Sequence, residues 1–227
     1  MLKTKTQQAT AVAILFHAIG LIGILFFDSN LMAKATPLNM LLMLGLLFYT
    51  QEKINTPFLV FFAVCFVTGI VVEIIGTSSG LLFGNYAYGP TLGVGVKNVP
   101  LLIGVNWFII VYCCGVTVYT ILQKLSAKLS EVTGAPTPAI HFITIVVDAA
   151  FLAVLFDWVL EPIAVKLGYW QWLGDGTIPF YNYVCWFVIS AALLAVFNIL
   201  SFNKRNIFAV NLLLIMLLFF MLLRTFL

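Results

Sequence analysis

The sequence predicts an all-α fold, a polytopic membrane bundle of about seven transmembrane helices. Hydrophobic residues make up 63% of the 227 and charged residues only 8%, whereas a soluble domain is about a quarter charged. Mean hydropathy is +1.13. Apolar runs approaching the roughly 20 residues that cross a bilayer core recur along the whole chain.

The runs cover 9–27, 35–49, 57–75, 99–122, 138–161, 180–200 and 207–223. No internal repeat, low-complexity segment or long linker divides residues 1–227, so a single integral membrane domain is expected. Lys3 and Lys5 precede the first run and Ala33-Lys34-Ala35 faintly resembles a cleavage site, as in a signal peptide. The run is too long for a signal core and the site lies too far beyond it, so an uncleaved first span is expected.

The second run is short for a crossing, and loop charges decide whether it spans. With seven spans and a cytoplasmic N-terminus, Lys3, Lys5, Lys53, Lys124, Lys128, Lys204 and Arg205 lie inside, against Lys34, Lys97, Lys166 and Arg224 outside. Without it the split becomes five inside against six outside, contrary to the positive-inside tendency. Seven spans in a multi-pass cell-membrane protein is therefore the expectation. The connection from Ser126 to Pro138, with Gly134 and Pro136, reads as an ordinary interhelical turn.

That topology puts two polar loops on the non-cytoplasmic face. The first interrupts the stretch from Gly69 to Trp107 and the second runs from Tyr169 to Asn182. Each follows acids, Glu73 in one case and Asp157 with Glu161 in the other, and the two loops are expected to meet. All five tryptophans, Trp107, Trp158, Trp170, Trp172 and Trp186, fall in the same half of the molecule.

Other function classes are excluded by what is missing. A formal charge of +3 without a polybasic run gives nucleic acid nothing to bind. Cys65, Cys113, Cys114 and Cys185 all sit in apolar segments, which suits small core residues and not a disulfide framework or zinc site. There is no phosphate loop, metal-ligand pattern or serine elbow. The last span carries no lysine for a retinal Schiff base. Chemistry is expected from carboxyls and aromatics, with no metal and no cofactor.

An ionised group at the centre of a membrane helix costs about 2.5–3.5 kcal/mol or more, so each acid there needs a reason. Asp157 and Glu161 are four apart and share a helix face. Two carboxyls so close in a poorly solvated place cannot both ionise cheaply, so one keeps a proton beside an anion, as general acid–base chemistry requires. Alternatively both snorkel to the interface beside a helix terminator, Pro162, which also leaves the Trp158 carbonyl without its helical donor and in need of a cavity or water. Glu73 arrives at the same depth from another helix and favours the acid–base reading.

Asp148, in line with His141, is expected to be a buried, neutral, hydrogen-bonded acid, with a proton path as the alternative. His17 reads as structural. The tryptophans, with Tyr86, Tyr88, Tyr169, Tyr181 and Tyr183, are one-sided where an interfacial belt is two-sided. Aromatic faces around acids suggest stabilisation of a cation.

At these residues the chain resembles a known family. The motifs E-x-x-G-T, F-G-x-Y-x-Y-G, V-P-L-L-I-G and N-W between Glu73 and Trp107, and D-W-V-L-E-P, G-Y-W-x-W, I-P and N-Y-x-x-W between Asp157 and Trp186, are similar to those of the integral membrane carotenoid 1,2-hydratases. Members include γ-carotene and bisanhydrobacterioruberin hydratases. Leu173 departs from the acidic or polar residue of many relatives.

The resemblance implies addition of water across the terminal double bond of an acyclic carotenoid end, without oxygen or redox cofactor. A carotenoid substrate, the lipid bilayer and other enzymes of the pathway are then the expected partners. Asp157 is expected to donate the proton, Glu161 to tune it and take a proton from the attacking water, and Glu73 to orient that water or share the acid role. Trp107, Trp170, Trp172, Trp186, Tyr86, Tyr88 and Asn182 are expected to bind the substrate and shield its cation. Two other functions fit the acids: a carotenoid end-group cyclase, or a proton-coupled carrier lined by Glu73, Asp148, Asp157 and Glu161.

Overall fold

The computed structural model describes residues 4–129 and 137–227. Lys3, Gly134 and Pro136, used above, lie outside the described residues. The architecture is that of a multi-pass membrane protein, with seven helices among the described residues long and apolar enough to cross a bilayer. They are α1 (Lys5–Phe26), α2 (Ser29–Thr50), α3 (Thr56–Ser79), α4 (Leu102–Leu129), α5 (Pro138–Lys166), α6 (Phe180–Ile199) and α7 (Ile207–Phe226).

Local chemistry sets the helix starts. Thr4 and Gln7 form a reciprocal capping box on α1, and Asp28, Asn55, Thr137 and Asn206 cap α2, α3, α5 and α7 through side-chain oxygens. The weak second run proves to be a helix of 22 residues, because Asp28 starts it before the apolar stretch and it continues through Pro37. α5 also differs from expectation: it passes through Pro162 and ends five residues beyond Glu161, at Lys166.

α4 is the central post. Its most apolar stretch is 89% buried, against 17–39% for the other helices, and it packs on α2, α3, α5, α6 and α7. At one end of the bundle Phe58, Phe61, Phe108, Tyr112, Phe197 and Phe202 interlock through edge and stacked contacts. That end is tied by polar groups: Tyr112 donates to Gln51 Oε1 at 2.6 Å, and Asn206 Nδ2 donates to Tyr112 and Thr50 hydroxyls at 3.2 Å. The four cysteines are buried and free.

At the opposite end, where α3 and α5 finish and α4 and α6 begin, the two polar loops meet. β1 (Tyr86–Tyr88) pairs antiparallel with a strand at Trp170–Trp172, matching Tyr86 with Trp172 and Tyr88 with Trp170. Between them in sequence, β2 (Gly95–Val96) and β3 (Val99–Pro100) form a hairpin whose central Lys97 and Asn98 have φ of 49° and 66°, the geometry of a two-residue primed turn. The Trp170–Trp172 strand is β4. Leu173 N extends the ribbon by donating to Asn85 O at 2.8 Å, and Gly89 N donates to Tyr169 O at 2.9 Å. A side chain at Gly89 would meet the Gly168 carbonyl oxygen at 2.2 Å, so this approach of the two loops requires glycine.

Candidate functional site

Side chains alternate across a strand, so Tyr86 and Tyr88 share one face of the ribbon, as do Trp170 and Trp172. In the register observed, that face covers three buried carboxyls. Tyr86 and Tyr88 both donate their hydroxyls to Glu73 Oε2, Tyr88 at 2.7 Å, and Trp107 Nε1 donates to Glu73 Oε1 at 3.1 Å. Trp170 and Trp172 donate their indole N–H groups to Glu161 Oε2 at 3.0 and 3.1 Å. Asn182 Nδ2, in the first turn of α6, reaches Asp157 Oδ2 at 2.8 Å and Glu161 Oε1 at 3.4 Å. Burial and the adjacent Glu73 push the Tyr86 and Tyr88 phenols well above the ordinary tyrosine value, which keeps them proton donors.

The donors are unequally shared. Glu73 and Glu161 each accept three hydrogen bonds. Asp157 accepts one, and its buried Oδ1 has no partner among the described residues. All three acids face one cavity of about 30 Å³, whose walls include Phe83, Ile103 and Asn106. A space that size accepts one or two water molecules.

The cavity is also lined by Tyr86, Tyr88, Trp107, Trp170, Trp172, Asn182 and Trp186, so the three acids expected to react and the seven residues expected to bind substrate converge there. Trp107 and Trp186 stack with centroids 4.1 Å apart and planes 12° from parallel. A Cβ on Gly69 would lie 2.6–2.9 Å from Trp107, so glycine lets this indole lie flat on α3.

Several expected members lie elsewhere. Trp158 turns outward: Arg224 stacks 4.0 Å above its ring, and the same guanidinium donates to the Trp158 carbonyl at 2.8 Å. The carbonyl orphaned by Pro162 is thus met by an arginine on α7. Asp148 is exposed on α5 and has no hydrogen-bond partner among the described residues, which corrects the expectation of a buried, bonded acid. His141 packs edge-on against Tyr119. Tyr181 is exposed and bonds the Leu81 carbonyl, and Leu173 is 42% exposed. Tyr169 bonds Thr36 at 2.6 Å, and burial pushes its phenol up to about 12.

Sequence reasoning missed a larger feature next door. A second pocket of about 270 Å³ lies among α1, α2, α4, α5 and α7 and shares Ile103, Asn106 and Trp170 with the acid cavity. Asn106 stood in the N-W motif; the helical faces that line the rest carried no signal.

The fold and site define an integral membrane bundle with three buried carboxyls gathered at one end and shielded by aromatics. The comparison with known families is more particular. Residues 35–227 match the model of a family described as carotenoid biosynthesis protein, and the chain belongs to that family. No curated protein and no solved structure matches it.

Proposed function

We propose that the protein hydrates the terminal C1–C2 double bond of an acyclic carotenoid end, such as that of γ-carotene, lycopene or a C50 precursor, giving a tertiary alcohol. The observation that carries this reading is the convergence of Asp157, Glu161 and Glu73 on one water-sized cavity walled by aromatics. Membership of a carotenoid biosynthesis family supports a carotenoid substrate. The chain acts as a single membrane domain of the cell membrane, and loop charges favour placing the acid end at the non-cytoplasmic face.

The uneven distribution of donors supports a division of roles. Three N–H or O–H groups stabilise charge on Glu73 and on Glu161, whereas Asp157 has one donor and a bare Oδ1, so Asp157 is the carboxyl that keeps its proton. Its proton passes to C2 of the alkene, whose π electrons form the new C–H bond and leave a tertiary cation at C1. A water oxygen bonds to C1 and gives its proton to Glu161. Return of that proton to Asp157 restores the pair, so the net change is one added water. Glu73, held by three donors, orients the water, and the indoles and phenols present π-faces to the cation.

The test is expression in a host that makes lycopene or γ-carotene, with the pigments separated by liquid chromatography and read by mass. A more polar pigment heavier by one water, with an unchanged chromophore, is expected, and Asp157→Asn should abolish it while the protein still accumulates in the membrane. Equal-mass, ring-closed pigments would replace hydration with cyclisation. Near-normal product from Asp157→Asn would remove this residue from the reaction.

A further inference from the structure

The second pocket, of about 270 Å³, is left unused by the acid chemistry. Its walls are mostly apolar, and none of the lining side chains is an aspartate, glutamate, lysine or arginine, so it offers nothing to an ionic ligand. Thr36 and Tyr169 bond each other, and His17 Nδ1 donates to the Ala13 carbonyl at 2.8 Å, whereas Asn39 contributes an uncharged acceptor, a buried Oδ1 with no partner among the described residues. Phe16, Ile19 and Leu38 are 40%, 52% and 69% exposed while also lining it. The pocket therefore opens sideways, between α1 and α2, at a surface that faces lipid in a membrane. At its other end Ile103, Asn106 and Trp170 are common to the acid cavity, and Trp170 is the residue whose indole holds Glu161.

We infer that this pocket is a lateral portal for the hydrocarbon chain of the substrate: an acyclic polyene slides in from the bilayer between α1 and α2, and its end reaches the acids past Ile103, Asn106 and Trp170. The inference rests on the proposed hydration and adds the route and the seat. At about 270 Å³ the pocket is slightly below the roughly 300–1,000 Å³ of small-molecule sites. A C40 polyene about as long as the 30 Å bilayer core exceeds it, so the end segment is seated and the remainder stays in lipid. Burial of the chain end, not recognition of a polar group, supplies the affinity.

Gly20 sets the width of the seat. It lines the pocket on α1, and a Cβ there would lie 3.6 Å from the Phe219 ring, an ordinary contact. The backbone accepts a side chain at this position, but any atoms beyond Cβ compete with the ligand for space. Ala35, an exposed lining residue of α2, offers a second place to narrow the portal.

The experiment uses the full chain in lipid nanodiscs with lycopene, reading bound pigment by absorbance and by quenching of tryptophan fluorescence. Gly20→Leu and Ala35→Phe should each weaken lycopene binding by about tenfold, the change that corresponds to displacing roughly two methylenes from an apolar wall. Leu15→Phe, at an exposed α1 position outside the pocket, controls for the added bulk and should bind as wild type. Unchanged binding in both narrowed variants, or no uptake by the wild type, overturns the portal. The two proposals separate cleanly: lycopene held and lost on narrowing, with no hydrated pigment formed, keeps the portal and sinks the hydration. Normal hydrated product from the narrowed variants does the reverse.

Discussion

Arg224 closes a gap in α5 that Pro162 opens, and the cost of removing it can be worked out. Proline at position 162 has no N–H for the Trp158 carbonyl, and the guanidinium of Arg224 on α7 supplies that donor at 2.8 Å while stacking on the Trp158 ring. A hydrogen bond from a charged donor contributes about 1.5–3 kcal/mol, and its exposure here argues for the lower end. Exposed cation–π stacking adds about 0.5–1 kcal/mol. Arg224→Leu should therefore destabilise the protein by about 2–2.5 kcal/mol. In a Pro162→Ala background the alanine N–H takes over the carbonyl, and the same replacement should cost only the stacking, about 0.5–1 kcal/mol. A double-mutant cycle by reversible unfolding in mixed micelles reads the coupling directly, with about 1.5 kcal/mol expected. An equal cost of Arg224→Leu in both backgrounds would refute the reasoning.

Three further outcomes follow from the geometry. Tyr86→Phe and Trp172→Phe each remove one donor from a buried carboxyl and should lower the rate of the proposed hydration by about tenfold to a hundredfold, read as product per folded protein. Gly69→Ala should displace Trp107, break its bond to Glu73 and its stack on Trp186, and reduce activity without loss of helix content by circular dichroism. Asn206→Leu removes the α7 cap at 3.1 Å from Phe208 N together with the bonds to Tyr112 and Thr50, at the end remote from the acids. It should cost about 2–4 kcal/mol of stability and leave the rate per folded molecule unchanged.

The helices were legible because lipid demands long apolar runs, and the acids because charge in such runs is expensive. What misled was local punctuation. Lys34 made α2 look short, and Pro162 looked like a stop, yet a donor on α7 lets the helix continue past it. The lateral pocket was illegible for a different reason. Residues facing lipid and residues facing a pocket are both apolar, so Phe16, Ile19 and Met43 give no period that tells one face of a membrane helix from another. Asp148 shows the converse: an acid inside an apolar run turned out to face outward.

The meeting of the loops was suggested by their composition, whereas the ribbon that joins them was not. Its signature is only Tyr-Ala-Tyr and Trp-Gln-Trp, three residues each, too short for strand propensity to speak. The alternation was nonetheless there, with Ala87 and Gln171 as the opposed partners in the middle of the register.

That ribbon places a parity rule on the chain. Each of the two glutamates is held by aromatics from the loop that follows its own helix, Glu73 by Tyr86 and Tyr88, Glu161 by Trp170 and Trp172. Adding one residue within either strand would turn the next aromatic to the far face and strand its carboxyl without a donor. The hairpin at Lys97 and Asn98 lies between the two strands in sequence and inside neither, so residues can be added there without touching the count. Insertion scanning would meet a chain that tolerates extra length between its ribbons and forbids odd steps inside them.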